Sequence, residues 1–267
     1  GQAGTAYDSI KVVVAQESAA FEYSQQVYRV GDGFVLPTIS GTAQGQFSAD
    51  SGLLFNPNNG EIDIDNTSAG TYTISYLTDN CRISSKKSIE ILYPARIEEG
   101  SQSICADNSL TFTANDSIGD IAWYINGSRV SEKEELTEPF GDGGTYKIVL
   151  VGSSKGNVST DTATVRVTEE SAEFSYPKRR YRKSEGVILP TVQGTSNGIF
   201  SSGDANVNEV SGEVDLTGLA AGGYEVAYQT TECGIRQSRS FEVFEDVKIL
   251  NVRDTTICLG GTVSFKA

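Results

Sequence analysis

The chain has 267 residues and a formal charge of −14, with 38% apolar residues, four cysteines, one tryptophan, and neither histidine nor methionine. So acidic a surface repels phosphate backbones, which disfavours nucleic acid, and the lack of histidine removes the usual base of a serine or cysteine nucleophile. The cysteines show no C-x-x-C spacing, which argues for disulfides or inert thiols over zinc, and no apolar stretch is long enough for membrane insertion.

With no initiator Met and no basic-plus-apolar leader, the chain reads as a mature or excised segment. Frequent Gly, Thr and Ser between short apolar runs predict many short strands and few helices. In chain order, "NPNNG" (56–60) predicts a turn, and "TYTISY" (71–76) a half-buried strand with Tyr72, Ile74 and Tyr76 on one face. "IAWYING" (121–127) places Trp123 on a strand that ends in Asn126-Gly127, a favoured hairpin turn. Trp123 with Tyr146 on a later strand matches the buried Trp and strand-opening Tyr of immunoglobulin-like sandwiches. "YEVAY" (224–228) repeats the earlier alternation with Tyr224, Val226 and Tyr228.

The chain repeats itself at an offset of 153 residues. "VLPTISGTAQGQFS" (35–48) returns as "ILPTVQGTSNGIFS" (188–201), and "DSIKVVVAQESAAFEY" (8–23) as "DTATVRVTEESAEFSY" (161–176). "QSICADNSLTFTA" (102–114) returns as "TTICLGGTVSFKA" (255–267), where Ile104-Cys105 match Ile257-Cys258. After a one-residue deletion, "GEIDIDNTSAGTYTISYLTDNC" (60–81) matches "GEVDLTGLAAGGYEVAYQTTEC" (212–233). A Gly-x-Tyr element at Tyr72, Tyr146 and Tyr224, spaced by 74 and 78 residues, divides each period into two sandwich-sized units. The expected organisation is the tail of an I unit (1–17), an S repeat (18–94), an I unit (95–170), a second S repeat (171–247) and the start of another I unit (248–267). The fold class is all-β: a tandem array of small Ig-like antiparallel β-sandwiches, stacked end to end through short junctions that lack Gly/Ser linkers.

The S signature combines Phe21, Tyr23 and Tyr28 with "LPTISGT" (36–42), "GQFS" (45–48), "GLLFNPNNGEID" (52–63) and "AGTYTISY" (69–76). This order resembles the SprB-type repeats of giant cell-surface gliding adhesins from Bacteroidota. The I unit is similar to the Ig-like or PKD-like modules of the same class of protein. The resemblance implies type IX secretion, an extracellular place at the cell surface, and a long filament moved by a motility machinery. Its implied partners are neighbouring repeats, surface polysaccharide and components of that machinery.

The units depart from that resemblance at their cysteines. The residue after the Tyr near the start of the S repeat, where a cysteine is expected, is Arg29 or Arg182. Nine residues beyond the Gly-x-Tyr tyrosine stand Cys81 and Cys233 in the S repeats, but Lys155 in the I unit. In an Ig-like sandwich with termini at opposite ends, the A–B turn faces the next unit and the F–G loop faces the previous one. Cys105 is therefore expected to bond Cys233 across a junction. Cys81 and Cys258 would find their partners in units beyond this segment. The alternative is four buried thiols.

Candidate chemistry is sparse. Asp63 and Asp65 offer a carboxylate pair, but Thr217 replaces Asp65 in the second copy, so no catalytic residue is assigned and the chain is read as a non-enzyme. "NPNNGEIDID" (56–65) is oxygen-rich enough to suggest calcium, yet its second copy loses several of those oxygens; no cofactor or metal ligand is assigned. The basic run Lys178, Arg179, Arg180, Tyr181, Arg182 and Lys183 suggests a polyanion or glycan contact with Tyr181 stacking on a sugar, against a plainer reading as pairing with acidic junction residues. Ser9, Ser117 and Thr162 each follow Asp and precede an aliphatic residue, which resembles the O-glycan acceptor of exported proteins in these bacteria. Together these readings predict a stalk or spacer within a surface adhesin, the alternative being carbohydrate-binding modules of a secreted protein.

Overall fold

The computed structural model describes residues 4, 8–14, 16–247 and 256–264. Parts of the expected first tail (1–3, 5–7, 15) and of the expected last unit (248–255, 265–267) lie outside the described residues. The chain is all-β and forms two compact units. The first comprises Gly1–Gln102, Ser109–Pro139 and Thr145–Val165; the second comprises Ser103–Asn108, Phe140–Gly144 and Arg166–Ala267. Among the described residues no helix is long and apolar enough to cross a membrane.

The first unit opens with β1 (Phe21–Glu22), β2 (Val27–Arg29), β3 (Phe34–Val35), β4 (Thr38–Ile39), β5 (Gly45–Ala49), β6 (Ile62–Asp63), β7 (Gly70–Thr78) and β8 (Ser84–Leu92). One layer is the sheet β2-β8-β7-β5; β1 with β4 and β3 with β6 make the other. The chain changes layer between β1 and β2, so β2 runs parallel to β8, an exception to the expected antiparallel pairing. Alternation in β7 buries Tyr72, Ile74 and Tyr76, as the period-two pattern requires. These pack with Phe21, Phe47, Ile62 and Ile91 into one core. Gly60 closes it. At φ +74°, its carbonyl accepts the Tyr23 hydroxyl at 2.6 Å, and a Cβ there would lie 2.8 Å from Pro37 Cγ.

The chain continues through β9 (Gln102–Cys105), β10 (Asn108–Thr113), β11 (Asp120–Ile125), β12 (Ser128–Ser131), β13 (Glu135–Phe140), β14 (Gly144–Ser154) and β15 (Asn157–Thr168). The sheet order is β12-β11-β14-β15-β9, with β10 and β13 paired separately. Asn126 (φ 49°) and Gly127 (φ 86°) form the two-residue turn between β11 and β12. Trp123 is fully buried and donates from Nε1 to Lys133 O at 2.8 Å. Tyr146 is only half-buried, which corrects the expected buried Trp–Tyr arrangement: it shares the inward face of β14 with the buried Ile148 and Leu150 but sits near the start of the strand, where the core no longer covers it fully.

In the second unit, β16 (Phe174–Ser175), β17 (Arg180–Arg182), β18 (Val187–Ile188), β19 (Thr191–Val192), β20 (Gly198–Ser201), β21 (Val214–Asp215), β22 (Gly222–Thr230) and β23 (Arg236–Phe244) repeat the first eight strands. The sheet is β17-β23-β22-β20, β17 is again parallel to β23, and Phe174, Phe200, Val214, Tyr228 and Phe241 fill the equivalent core. Every sheet falls within 18–94, 95–170 or 171–247. Residues 8–14 align with 161–167 of β15, but there Ile10, Val12, Val13 and Val14 are exposed and no strand is assigned.

Candidate functional site

Two sites tie distant parts of the chain together, each built from the turn after a strand (β2 or β9) and from a later hairpin (β14–β15 or β22–β23). The first lies in the first unit. Arg29 ends β2, and Asp32 fixes the turn behind it by accepting the Arg29 N–H at 2.8 Å. Its side chain, only 6% exposed, reaches the hairpin between β14 and β15. Nε donates to Asn157 Oδ1 at 2.6 Å and Nη2 to Gly152 O at 2.9 Å. Nη1 donates to Tyr93 O at 2.7 Å and to Ile118 O at 3.3 Å. The planar guanidinium thus finds acceptors on each edge of its fork, which is what allows a cation to be buried. Burial pulls its pKa below the usual arginine value while Asp32 and Glu90 pull it back up. Around it, Asn157 Nδ2 donates to Val27 O at 3.3 Å, Ser154 Oγ donates to Glu90 Oε2 at 2.9 Å, and Lys155 Nζ lies 3.4 Å from the same carboxylate.

The second site lies in the second unit. Cys105 ends β9 and the turn continues through Asp107 at φ 63°, whose N–H donates to Phe140 O at 2.8 Å. A disulfide joins Cys105 to Cys233, in the loop between β22 and β23, with the Cα atoms 5.8 Å apart. Glu170 positions that loop by accepting the Cys233 N–H at 2.7 Å; Thr168 Oγ1 donates to Glu232 at 3.0 Å. Hydrogen bonding from Thr230 and from the loop backbone holds the Glu170 carboxyl below the ordinary glutamate value. Glu17 does the same for Cys81, accepting its N–H at 2.9 Å, with Thr78 in the place of Thr230. Cys81 and Cys258 are both exposed.

The sequence marks the Arg29 and Lys155 positions as partners, because the two cysteines expected there are absent together, but it assigns the arginine no role. In the structure Arg29 grips the hairpin that carries Lys155, mainly through Asn157. The signal for Asn157 was slight: a lone Asn after Lys155-Gly156.

Within the basic run, Tyr181 is not placed as the expected stacking platform. Tyr181 is 3% exposed, packs edge-on against Phe241 and accepts the Lys178 N–H, so its ring is not available to a sugar. The cations pair within their own repeat: Lys178 with Glu185, Arg180 with Glu242 at 3.2 Å, and Lys183 with Glu245 at 2.6 Å. Arg179 and Arg182 are exposed.

The carboxylates considered for catalysis serve turns. Asp63 accepts from Asn66, Asp65 Oδ1 from the Gly31 and Gly33 N–H groups at 2.9 Å each, and Asp215 from Thr217. In 56–61, Asn56 and Asn59 accept from Asn58 N and Glu61 N, so those amides are already committed to the turn. Among the described residues no group of three or more His, Cys, Asp or Glu side chains is placed to hold a metal. Ser9, Ser117 and Thr162 are exposed.

No protein-family model matches the sequence, and no curated protein matches it. Solved structures of tandem immunoglobulin domains are similar. A three-domain titin fragment is 13% identical over 86% of this chain and all of its own, at a TM-score of 0.40. Sidekick-1 immunoglobulin domains 1–4 are 15% identical over 86% of this chain and 76% of theirs, at 0.36. Drosophila OTK extracellular domains 3–5 are 11% identical over 87% of this chain and all of theirs, at 0.38.

Proposed function

We propose that the chain is a non-catalytic stretch of a long extracellular adhesin, in which S repeats (18–94, 171–247) alternate with I units (95–170 and the flanking 1–17 and 248–267). It acts as a stalk that bears load in surface adhesion and gliding motility. The observation that supports this best is that both successive junctions are reinforced at equivalent places, one by a buried arginine and one by a disulfide. A binding or catalytic module has no need to fix its orientation to its neighbours in this way, whereas a load-bearing array does. The disulfide favours an oxidising, extracellular setting. The assignment to a Bacteroidota gliding adhesin, with export by type IX secretion, rests on the SprB-type signature of the S repeats. O-glycans at Ser9, Ser117 and Thr162 accord with their exposure and belong to the same reading.

The expected outcome of labelling intact producing cells with antibody against the chain is a surface signal that travels along the cell body. A signal only after permeabilisation overturns the reading.

A further inference from the structure

The second S repeat carries the same arginine arrangement as the Arg29 site, but with the guanidinium exposed. Arg182 stands where Arg29 stands: it pairs with Phe244 in the parallel ladder as Arg29 pairs with Leu92. Its N–H donates to Glu185 Oε1 at 2.9 Å, as the Arg29 N–H donates to Asp32 at 2.8 Å. Its Nη1 donates to Glu245 O at 3.2 Å, as Nη1 of Arg29 donates to Tyr93 O at 2.7 Å, each carbonyl lying just past the last strand of its repeat. The guanidinium is therefore already oriented from behind. The difference is in front: Arg29 is buried beneath Gly152 and Asn157, whereas Arg182 is exposed beside Phe244, itself 37% exposed, at the mouth of a pocket of about 340 Å³.

We propose that Arg182 is a docking site for the F–G hairpin of a further I-type unit, which it holds as Arg29 holds residues 152–157. The occupant is set by the chemistry of the filled copy. It presents a backbone carbonyl at the position of Gly152 and an amide oxygen at the position of Asn157, both acceptors matched to the two remaining edges of the guanidinium. The inference rests on the modular reading above and names the partner that reading leaves open.

The test uses the whole chain and, as probe, a backbone-cyclised peptide of residues 150–159, titrated while the Arg182 Nε–H signal is followed by NMR. The expected result is a saturable shift, with affinity lowered about tenfold or more by Arg182→Ala and by Asn157→Ala in the peptide. Arg179→Ala removes the same charge from an exposed neighbour and is expected to leave binding intact. Lack of a shift, or equal binding to the Arg182→Ala chain, overturns the proposal. Hydrogen exchange of residues 152–157 in an Arg29→Ala chain separates the two levels. If exchange rises there but the peptide does not bind, only the docking site falls; if exchange is unchanged, the arginine-clamp reading falls with it.

Discussion

A buried guanidinium is tolerated only while its donors are matched, so the first unit should feel the loss of Arg29. Arg29→Ala strips partners from the carbonyls of Gly152 and Ile118 and from the Asn157 side chain. Hydrogen bonds to charged groups contribute about 1.5–3 kcal/mol, and unfilled buried acceptors add to that. Urea unfolding should therefore show a loss of about 2–3 kcal/mol, with Arg29→Lys failing to restore it because an ammonium cannot serve three sides at once. Gly60 gives a second residue-level expectation. Gly60→Ala must accept φ +74° and a contact at 2.8 Å with Pro37. A loss of about 2–3 kcal/mol is expected from strain plus overpacking, and the same at Gly212, where φ is +71° and Pro190 Cγ would lie at 2.5 Å. An unchanged midpoint at either glycine would show that the Tyr–Gly corner relaxes freely.

At the scale of elements, the loop between β22 and β23 depends on a carboxylate. Glu170 is held below its ordinary value by Thr230 and by the Cys233 and Glu232 backbone. A carboxyl whose folded pKa is depressed contributes stability that is complete above the unfolded pKa and disappears as pH falls through the folded one. The loop carrying Cys233 should thus loosen on the acid side of the ordinary glutamate range. Glu170→Gln should remove that part of the acid sensitivity while leaving the disulfide formed. Amide exchange of residues 231–235 against pH measures it, and an acid limb identical in the variant would exclude Glu170 as its source. Much at this scale was legible in the sequence. Alternation in β7 and β22 gave the buried faces, Asn126-Gly127 gave its hairpin, and the internal repeat announced two equivalent sandwiches because equivalent cores need equivalent residues. Arg29 was not legible as a clamp. Arginine is read as exposed by default, and its acceptors here are mostly backbone carbonyls, which leave no trace in side-chain identity. Tyr181 misled for the opposite reason: five cations around it suggested a wet surface, but its place in β17 points the ring inward.

At the scale of the whole molecule, the two compact units differ in what secures them. The first relies on hydrogen bonds around Arg29, which a reductant does not touch; the second contains the covalent link between Cys105 and Cys233, separated by 128 residues. In the chain-entropy account a loop of that length contributes on the order of 4–5 kcal/mol against the unfolded state, and its loss in the native state frees the Cys233 loop. The two units should therefore respond unequally to reduction. Hydrogen exchange of the oxidised and reduced chain is expected to show faster exchange at 103–108, 166–170 and 231–235, with 27–32 and 152–157 unchanged. Arg29→Ala should give the reverse pattern under oxidising conditions. Cys105→Ser with Cys233→Ser should match the reduced chain, which separates the effect of the bond from any other action of the reductant. If reduction instead loosened both regions together, the view of each site as independently secured would have to be given up.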